Sequence, residues 1–91
     1  MNPEQAKENQ QCRTDVLEYL AARPRVAQSV ETITRKLSRE NPEYSQADVS
    51  DALEFLVGLS YVRRDTDALG GISYYQIAPQ GTLYIERKFG L

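Results

Sequence analysis

The sequence predicts an α+β fold that is mostly α: a three-helix core, a β-hairpin and a short C-terminal helix. Three observations predict it. Residues 46–57 carry an apolar stripe at helical spacing behind a cap signal. Residues 61–64 and 72–77 alternate as strands about the permissive Gly70-Gly71 pair. Pro3 and Pro79 each suit the first turn of a helix. A length of 91 residues fits one domain, residues 1–91.

In chain order, Asn2 can cap the first helix, Pro3 fits its first position, and Glu4 complements its dipole. This helix extends to Ala22, because Pro24 disfavours helical backbone at Arg23. Cys12, Val16, Leu17 and Leu20 form a stripe in its second half. The first half offers only Ala6, so residues 1–11 are a polar extension that either frays or projects towards a partner chain. Residues 25–28 hold a short strand centred on Val26, paired to the later hairpin. Ser29 is the next cap, with Glu31 in the first turn and Val30, Ile33 and Leu37 on the buried side. Arg35 and Arg39 share the opposite side with Thr32, and Lys36 lies beside them. Glu31 and Arg35 are spaced for a surface pair worth about a few tenths of a kcal/mol. Asn41-Pro42 stops this helix.

The third helix opens on Ser45, with Asp48 three residues on completing a capping box. Val49, Ala52, Leu53 and Leu56 make its buried stripe, which leaves Ala47, Ser50, Asp51 and Glu54 pointing outward. Gly58 can end it in the left-handed conformation. In the hairpin Val62 points inward, Tyr75 and Ile77 share one face, and Ile72 and Tyr74 share the other. Residues 65–71 connect the strands. The last helix spans residues 79–88, with Ile85 and Phe89 at i, i+4.

Composition narrows function. Hydrophobic content of 41% and charged content of 26% are those of a soluble globular protein. No apolar run approaches the roughly 18 residues of a membrane span, and residues 1–11 are too polar for a signal peptide. The single Cys12 excludes an internal disulfide and suits a reducing cytoplasm; its place on the first helix is that of a small apolar filler. There is no histidine, which removes the usual general base, zinc ligand and nucleophile partner. No Asp/Glu pair sits in an apolar context, so neither an enzyme nor a metal or cofactor site is expected. A chain this small buries only about 60–65% of its unfolded surface, so a dimer contact is a natural supplement. The net charge of −2 means that any basic face must be local.

The order helix, short strand, helix, helix, strand, strand, helix resembles the winged helix-turn-helix family of small bacterial and phage regulators. The resemblance covers about residues 15–89. The stretch SQADVSDALEFLVGLSYVRR looks like a recognition helix running into the first strand of a β-hairpin wing. The stretch YYQIAPQG, residues 74–81, is similar to the segment closing the wing in PadR- and MarR-like proteins. Many relatives place Thr or Ser where this chain has Ala78, so the cap of its last helix is weakened. The resemblance implies a cytoplasmic transcriptional regulator that binds double-stranded DNA. The third helix, about 46–57, would enter the groove, with 61–77 as the wing. It also implies a homodimer through the first and last helices.

The residues leave two readings open. For DNA, the candidates are Arg35, Lys36, Arg39, Ser50, Arg63, Arg64, Ser73 and Tyr74, with Arg23 and Arg25 near the first connector. Each of these cations equally suits a solvated surface, and Arg63 and Arg64 alternate faces. The tyrosines Tyr61, Tyr74 and Tyr75 suit packing against helices or stacking on bases. Against DNA stand the outward Asp51 and Glu54 and, at the wing tip, Asp65 and Asp67. The alternative is a winged-helix protein-interaction module. There Asp51, Glu54, Phe55 and Val57 would present an apolar strip with a carboxylate rim to a protein partner.

Overall fold

Side chains close the first turn of three helices in the computed structural model, which describes residues 2–90; Met1 and Leu91, the ends of the expected domain, lie outside it. In α1 (Pro3–Ala21) Asn2 Oδ1 accepts the Gln5 N–H at 2.7 Å. In α2 (Val30–Leu37) Ser29 Oγ accepts the Thr32 N–H at 3.3 Å. In α3 (Gln46–Gly58) the capping box is complete: Ser45 Oγ accepts from Asp48 N at 3.1 Å, and Asp48 Oδ2 accepts from Ser45 N at 2.9 Å. Strands β1 (Val62–Thr66) and β2 (Ser73–Ile77) form an antiparallel hairpin, and α4 (Pro79–Phe89) follows. Its cap position, Ala78, makes no side-chain bond to the helix, as the departure from Ser or Thr implies. The polar extension of α1 is helical, with its side chains almost wholly in solvent.

One core joins these elements. Cys12, Val16, Leu17 and Leu20 come from α1, Ile33 and Leu37 from α2, and Val49, Ala52, Leu53 and Leu56 from α3. Val62, Tyr75 and Ile77 of the hairpin and Ile85 of α4 complete it. Each stripe expected from the sequence is therefore on the inside, except that Val30 is only half-buried. In the hairpin Val62 faces Ile77, and Arg64 faces Tyr75. Directly opposed residues share a face, so Val62, Arg64, Tyr75 and Ile77 look towards the helices while Arg63, Tyr74 and Gln76 look away.

Five local expectations need correction. The strand centred on Val26 is a single bridge at Gln28, which exchanges bonds with Tyr75 at 2.9 and 2.7 Å. The Val26 N–H is already spent on a turn to the Arg23 carbonyl, and its side chain is exposed. Helix α2 ends at Leu37, before Asn41-Pro42; just past its end the Ser38 hydroxyl donates to the Thr34 carbonyl at 2.7 Å. Glu31 and Arg35 form no ion pair; among the described residues the only one joins Arg64 to Glu54. The strands run Val62–Thr66 and Ser73–Ile77, shifted from 61–64 and 72–77, because Asp67 and Ile72 close the turn, with Asp67 N donating to Ile72 O at 2.8 Å.

The fifth concerns how α3 ends. Gly58 is its last helical residue, and the left-handed position is Ser60, with φ of 64°. Tyr61 N donates to Leu56 O at 3.0 Å and Ser60 N to Val57 O at 2.9 Å. This is a Schellman stop, with its left-handed residue two positions later than the glycine suggested. The Tyr61 carbonyl then accepts the Ala78 N–H at 2.9 Å. A methyl group on Gly81 would overlap that same carbonyl and come within 2.9 Å of Ile77 Cγ1. Glycine is thus what lets α4 lie against the start of the hairpin.

These two positions predict opposite responses. Ser60→Gly relieves a left-handed non-glycine residue and should stabilise by about 1 kcal/mol. That raises the melting temperature by about 4–8 °C in a domain of this size. Gly81→Ala forces backbone apart and should cost about 1–3 kcal/mol. Thermal melts followed by circular dichroism check both.

Candidate nucleic-acid interface

The burial of Val49, Ala52, Leu53 and Leu56 turns the opposite side of α3 outward. Ala47, Asp51 and Glu54 are exposed there, and Ser50 is half-buried at its edge. Glu54 is not a free anion. Its Oε2 takes a hydrogen bond and ion pair from the Arg64 guanidinium on β1. Its Oε1 accepts the Tyr75 O–H from β2 at 3.0 Å. The bond from Arg64 holds the Glu54 carboxyl below the usual carboxylate range, with the Tyr75 bond adding to it, so Glu54 is ionised at neutral pH. Burial and then the bond to Glu54 push the Tyr75 phenol up. Asp51, by contrast, is exposed and has no charge partner among the described residues.

The hairpin splits the two arginines at its root. Arg64 turns to α3, whereas Arg63, on the other face beside Gln76 and Tyr74, has no ion-pair partner among the described residues. Arg35, Lys36 and Arg39 are exposed on and just after α2 and are likewise unpaired in this sense. Ser73 is half-buried, its hydroxyl 2.9 Å from that of Thr66, and Tyr74 is exposed. At the tip, Asp67 is consumed by the turn: its carboxylate accepts from Leu69 N and Gly70 N, both at 3.2 Å. Leu69 at the tip is fully exposed.

Of the residues proposed for a protein contact, Asp51, Glu54 and Phe55 are exposed, Phe55 at 43%, and Val57 is half-buried. The Arg13 guanidinium of α1 covers Phe55, 3.6 Å from the ring centroid, and Val57 packs against the core. Sequence spacing could not reveal Arg13 over Phe55 or Arg64 on Glu54, since each link joins separate elements. Tyr75, open between packing and stacking, is a core residue. Tyr61 is half-buried, its ring centroid 5.2 Å from that of Tyr84.

No protein-family model matches the chain, and no curated protein matches it. Solved structures do. A transcriptional regulator from Clostridium thermocellum, Cth-833, superposes with a TM-score of 0.72 at 16% identity, over 99% of this chain and 85% of that one. The transcriptional regulator YodB from B. subtilis gives 0.66 at 18% identity, over 99% and 88%. The Helicobacter pylori ferric uptake regulator Fur gives 0.66 at 25% identity, over 75% of this chain but only 44% of that one. The fold is a winged helix. The chain spans less than half of the ferric uptake regulator it matches. In this fold α2 and α3 form the helix-turn-helix, and β1–β2 is the wing.

The winged helix also carries a cleft of about 460 Å³ between α1 and α3, lined by Glu8, Cys12, Arg13, Tyr44, Asp48 and Asp51 among others. The Tyr44 O–H donates to Asp15 Oδ2 at 2.6 Å; burial, then this bond, raises the phenol's pKa. Among the described residues no group of three or more His, Cys, Asp or Glu is placed to hold a metal ion. No helix there is long and apolar enough to cross a membrane.

Cys12 is buried at the base of this cleft, and burial, reinforced by the charges of Asp48 and Asp15, pushes its thiol up to about 11. Its thiolate fraction at neutral pH is therefore about 100-fold below that of an unperturbed cysteine, and it should react with iodoacetamide more slowly, by about 10-fold or more once the greater nucleophilicity of a high-pKa thiolate is counted. Unfolding returns its pKa towards 9.0. Above that pH the unfolded chain holds fewer protons than the folded one, so stability should fall as pH rises towards 11. Urea melts across that window check the direction; Cys12→Ala should remove the fall between about pH 9 and 10 and leave the part above it, to which the raised phenols of Tyr44 and Tyr75 contribute.

Proposed function

We propose that this winged helix is a DNA-binding transcriptional regulator, with α3 entering the major groove and β1–β2 lying along the backbone. The observation that carries the reading is the pairing of Glu54 with Arg64. It compensates one of the two carboxylates on the outward face of α3, while Arg35, Lys36, Arg39 and Arg63 stay free of carboxylate partners among the described residues. These four cations would neutralise phosphates, with Ser50, Ser73 and Tyr74 adding neutral contacts. The Asp67 carboxylate is tied into the wing turn by two backbone N–H groups, which partly offset its charge, while it and Asp65 stay exposed at the tip. Structural neighbours that are themselves transcriptional regulators support the same reading.

The protein-interaction alternative needs a continuous apolar strip beside Asp51 and Glu54. Arg13 over Phe55 and the packing of Val57 weigh against it. A second copy of the chain is the further partner we propose. The exposed half of α1 and the exposed Leu83, Tyr84 and Phe89 of α4 offer the surface for it. A dimer would bind a two-fold site. The cytoplasm of a bacterial cell, or of one carrying a prophage, is the setting that fits such a regulator. No catalytic role is proposed.

Fluorescence anisotropy with a labelled duplex tests this. Non-specific affinity at moderate salt should fall in the range of about 10⁻⁴–10⁻⁶ M and weaken linearly in log–log form as salt rises. Arg35→Ala, Arg39→Ala and Arg63→Ala should each lower the slope's magnitude by about 1. An absence of duplex binding at low salt, at protein concentrations beyond that range, would sink the reading.

A further inference from the structure

Glu54 poses a problem that phosphate neutralisation does not solve. A recognition helix gains nothing from an outward carboxylate unless that carboxylate touches a group that donates hydrogen bonds. Two of its roughly four lone-pair sites are occupied, by Arg64 on Oε2 and by Tyr75 on Oε1. The remaining sites belong to a side chain still about half-exposed, at 49%. Both partners come from the wing, so the carboxylate is held in one place before any ligand arrives.

We infer that Glu54 is a base-reading residue, accepting a hydrogen bond from the exocyclic amine of a cytosine in the major groove. This rests on the DNA-binding reading above. The chemistry selects cytosine among the four bases. An ionised carboxylate only accepts, and the major-groove donors are the amines of cytosine and adenine. The adenine amine sits between two acceptors, its own N7 and the O4 of the paired thymine, and both repel a carboxylate. The cytosine amine has an acceptor on one side only, the O6 of its guanine. Arg64, beside Glu54, carries donors of the kind that guanine O6 and N7 accept. The pair thus presents acceptor next to donor, the complement of what a C·G pair presents. Arg64 also compensates the charge that would otherwise be repelled by nearby phosphates. Arg64 and Tyr75 act as positioning residues.

The test is selection of binding sites by the full chain from a pool of randomised duplexes, for the native protein, Glu54→Gln and Glu54→Ala. The native protein should enrich cytosine at one position of each half-site. Its affinity should fall about 5- to 150-fold when that base pair alone is changed. Glu54→Gln should move the preference at that position to adenine, whose N6 and N7 a glutamine amide matches. Glu54→Ala should lose the preference there and keep it elsewhere. Tyr75→Phe keeps the ring in the core and should weaken the cytosine preference without altering the melting temperature by more than a few degrees. If Glu54→Ala selects the same site as the native protein, the inference fails and DNA binding stands. It fails in the same way if Glu54→Ala binds every duplex more tightly by one common factor, since the carboxylate is then only a source of repulsion. If no variant binds any duplex, both readings fall together.

Discussion

The rotation of α3 about its own axis governs everything that its surface can do. Four side chains set it. Val49 and Leu53 are fully buried, Ala52 and Leu56 nearly so, and they meet Val16, Leu17 and Leu20 of α1 in one core. Burying each large aliphatic side chain contributes about 1.5–3 kcal/mol. A half-exposed ion pair such as Arg64–Glu54 contributes about 0–1 kcal/mol. The comparison decides the order of cause. The core fixes the helix, the fixed helix presents Glu54, and Arg64 then finds it. A quarter turn of α3 would bury a carboxylate and expose Leu53 and Leu56, at a cost far beyond anything the ion pair could return.

The second constraint is the path from α3 into the wing. The Schellman stop at Ser60 reverses the chain tightly enough for β1 to run back along the helix it has just left. The Tyr61 carbonyl, bonded to Ala78 N and overlaid by Gly81, ties that reversal to the start of α4. Gln28 adds a bridge to Tyr75 from the opposite edge of β2. The root of the wing is therefore held by the core on several sides, whereas among the described residues its tip is held by the Asp67 turn and the Thr66–Ser73 hydroxyl contact. Local opening should begin at such a tip and leave the Glu54–Arg64–Tyr75 contact in place.

The sequence made the elements and their faces legible because both depend on near neighbours. The capping box at Ser45, the stripe of α3, the inward Val62 and the paired Tyr75 and Ile77 each follow from spacings of two to seven residues. What it hid depends on contacts across the fold. Arg64 meets Glu54 only because the reversal after α3 places β1 alongside it. Arg13 meets Phe55 only because α1 crosses α3. The left-handed residue is Ser60 and not Gly58 because glycine signals only conformational freedom, while the hydrogen-bond register of the stop selects the position. The short strand expected at Val26 is absent for a related reason: an apolar residue after a proline turn suits a strand, yet its N–H is already used in that turn.

Net charge is a poor guide to this surface, and the reason is local. Several carboxylates are engaged in bonds that the fold requires: Asp48 in the cap of α3, Asp15 with Tyr44, Asp67 in the wing turn, Glu54 with Arg64 and Tyr75. Such bonds leave formal charge in the total of −2 but tie each carboxylate to the donors that partly offset it. The cations Arg35, Lys36, Arg39 and Arg63 have no such ties among the described residues. Interactions between exposed charges fade over a Debye length of about 8 Å at physiological salt. A phosphate at α2 or the wing would therefore respond chiefly to its nearest side chains, and little to the sum over the molecule. The same reasoning separates the two roles of Glu54. Its contribution to stability is small because it is half in water. The contribution we propose for it in recognition comes from where two residues on two strands, Arg64 and Tyr75, hold it, and position of that kind is what distinguishes one base edge from another.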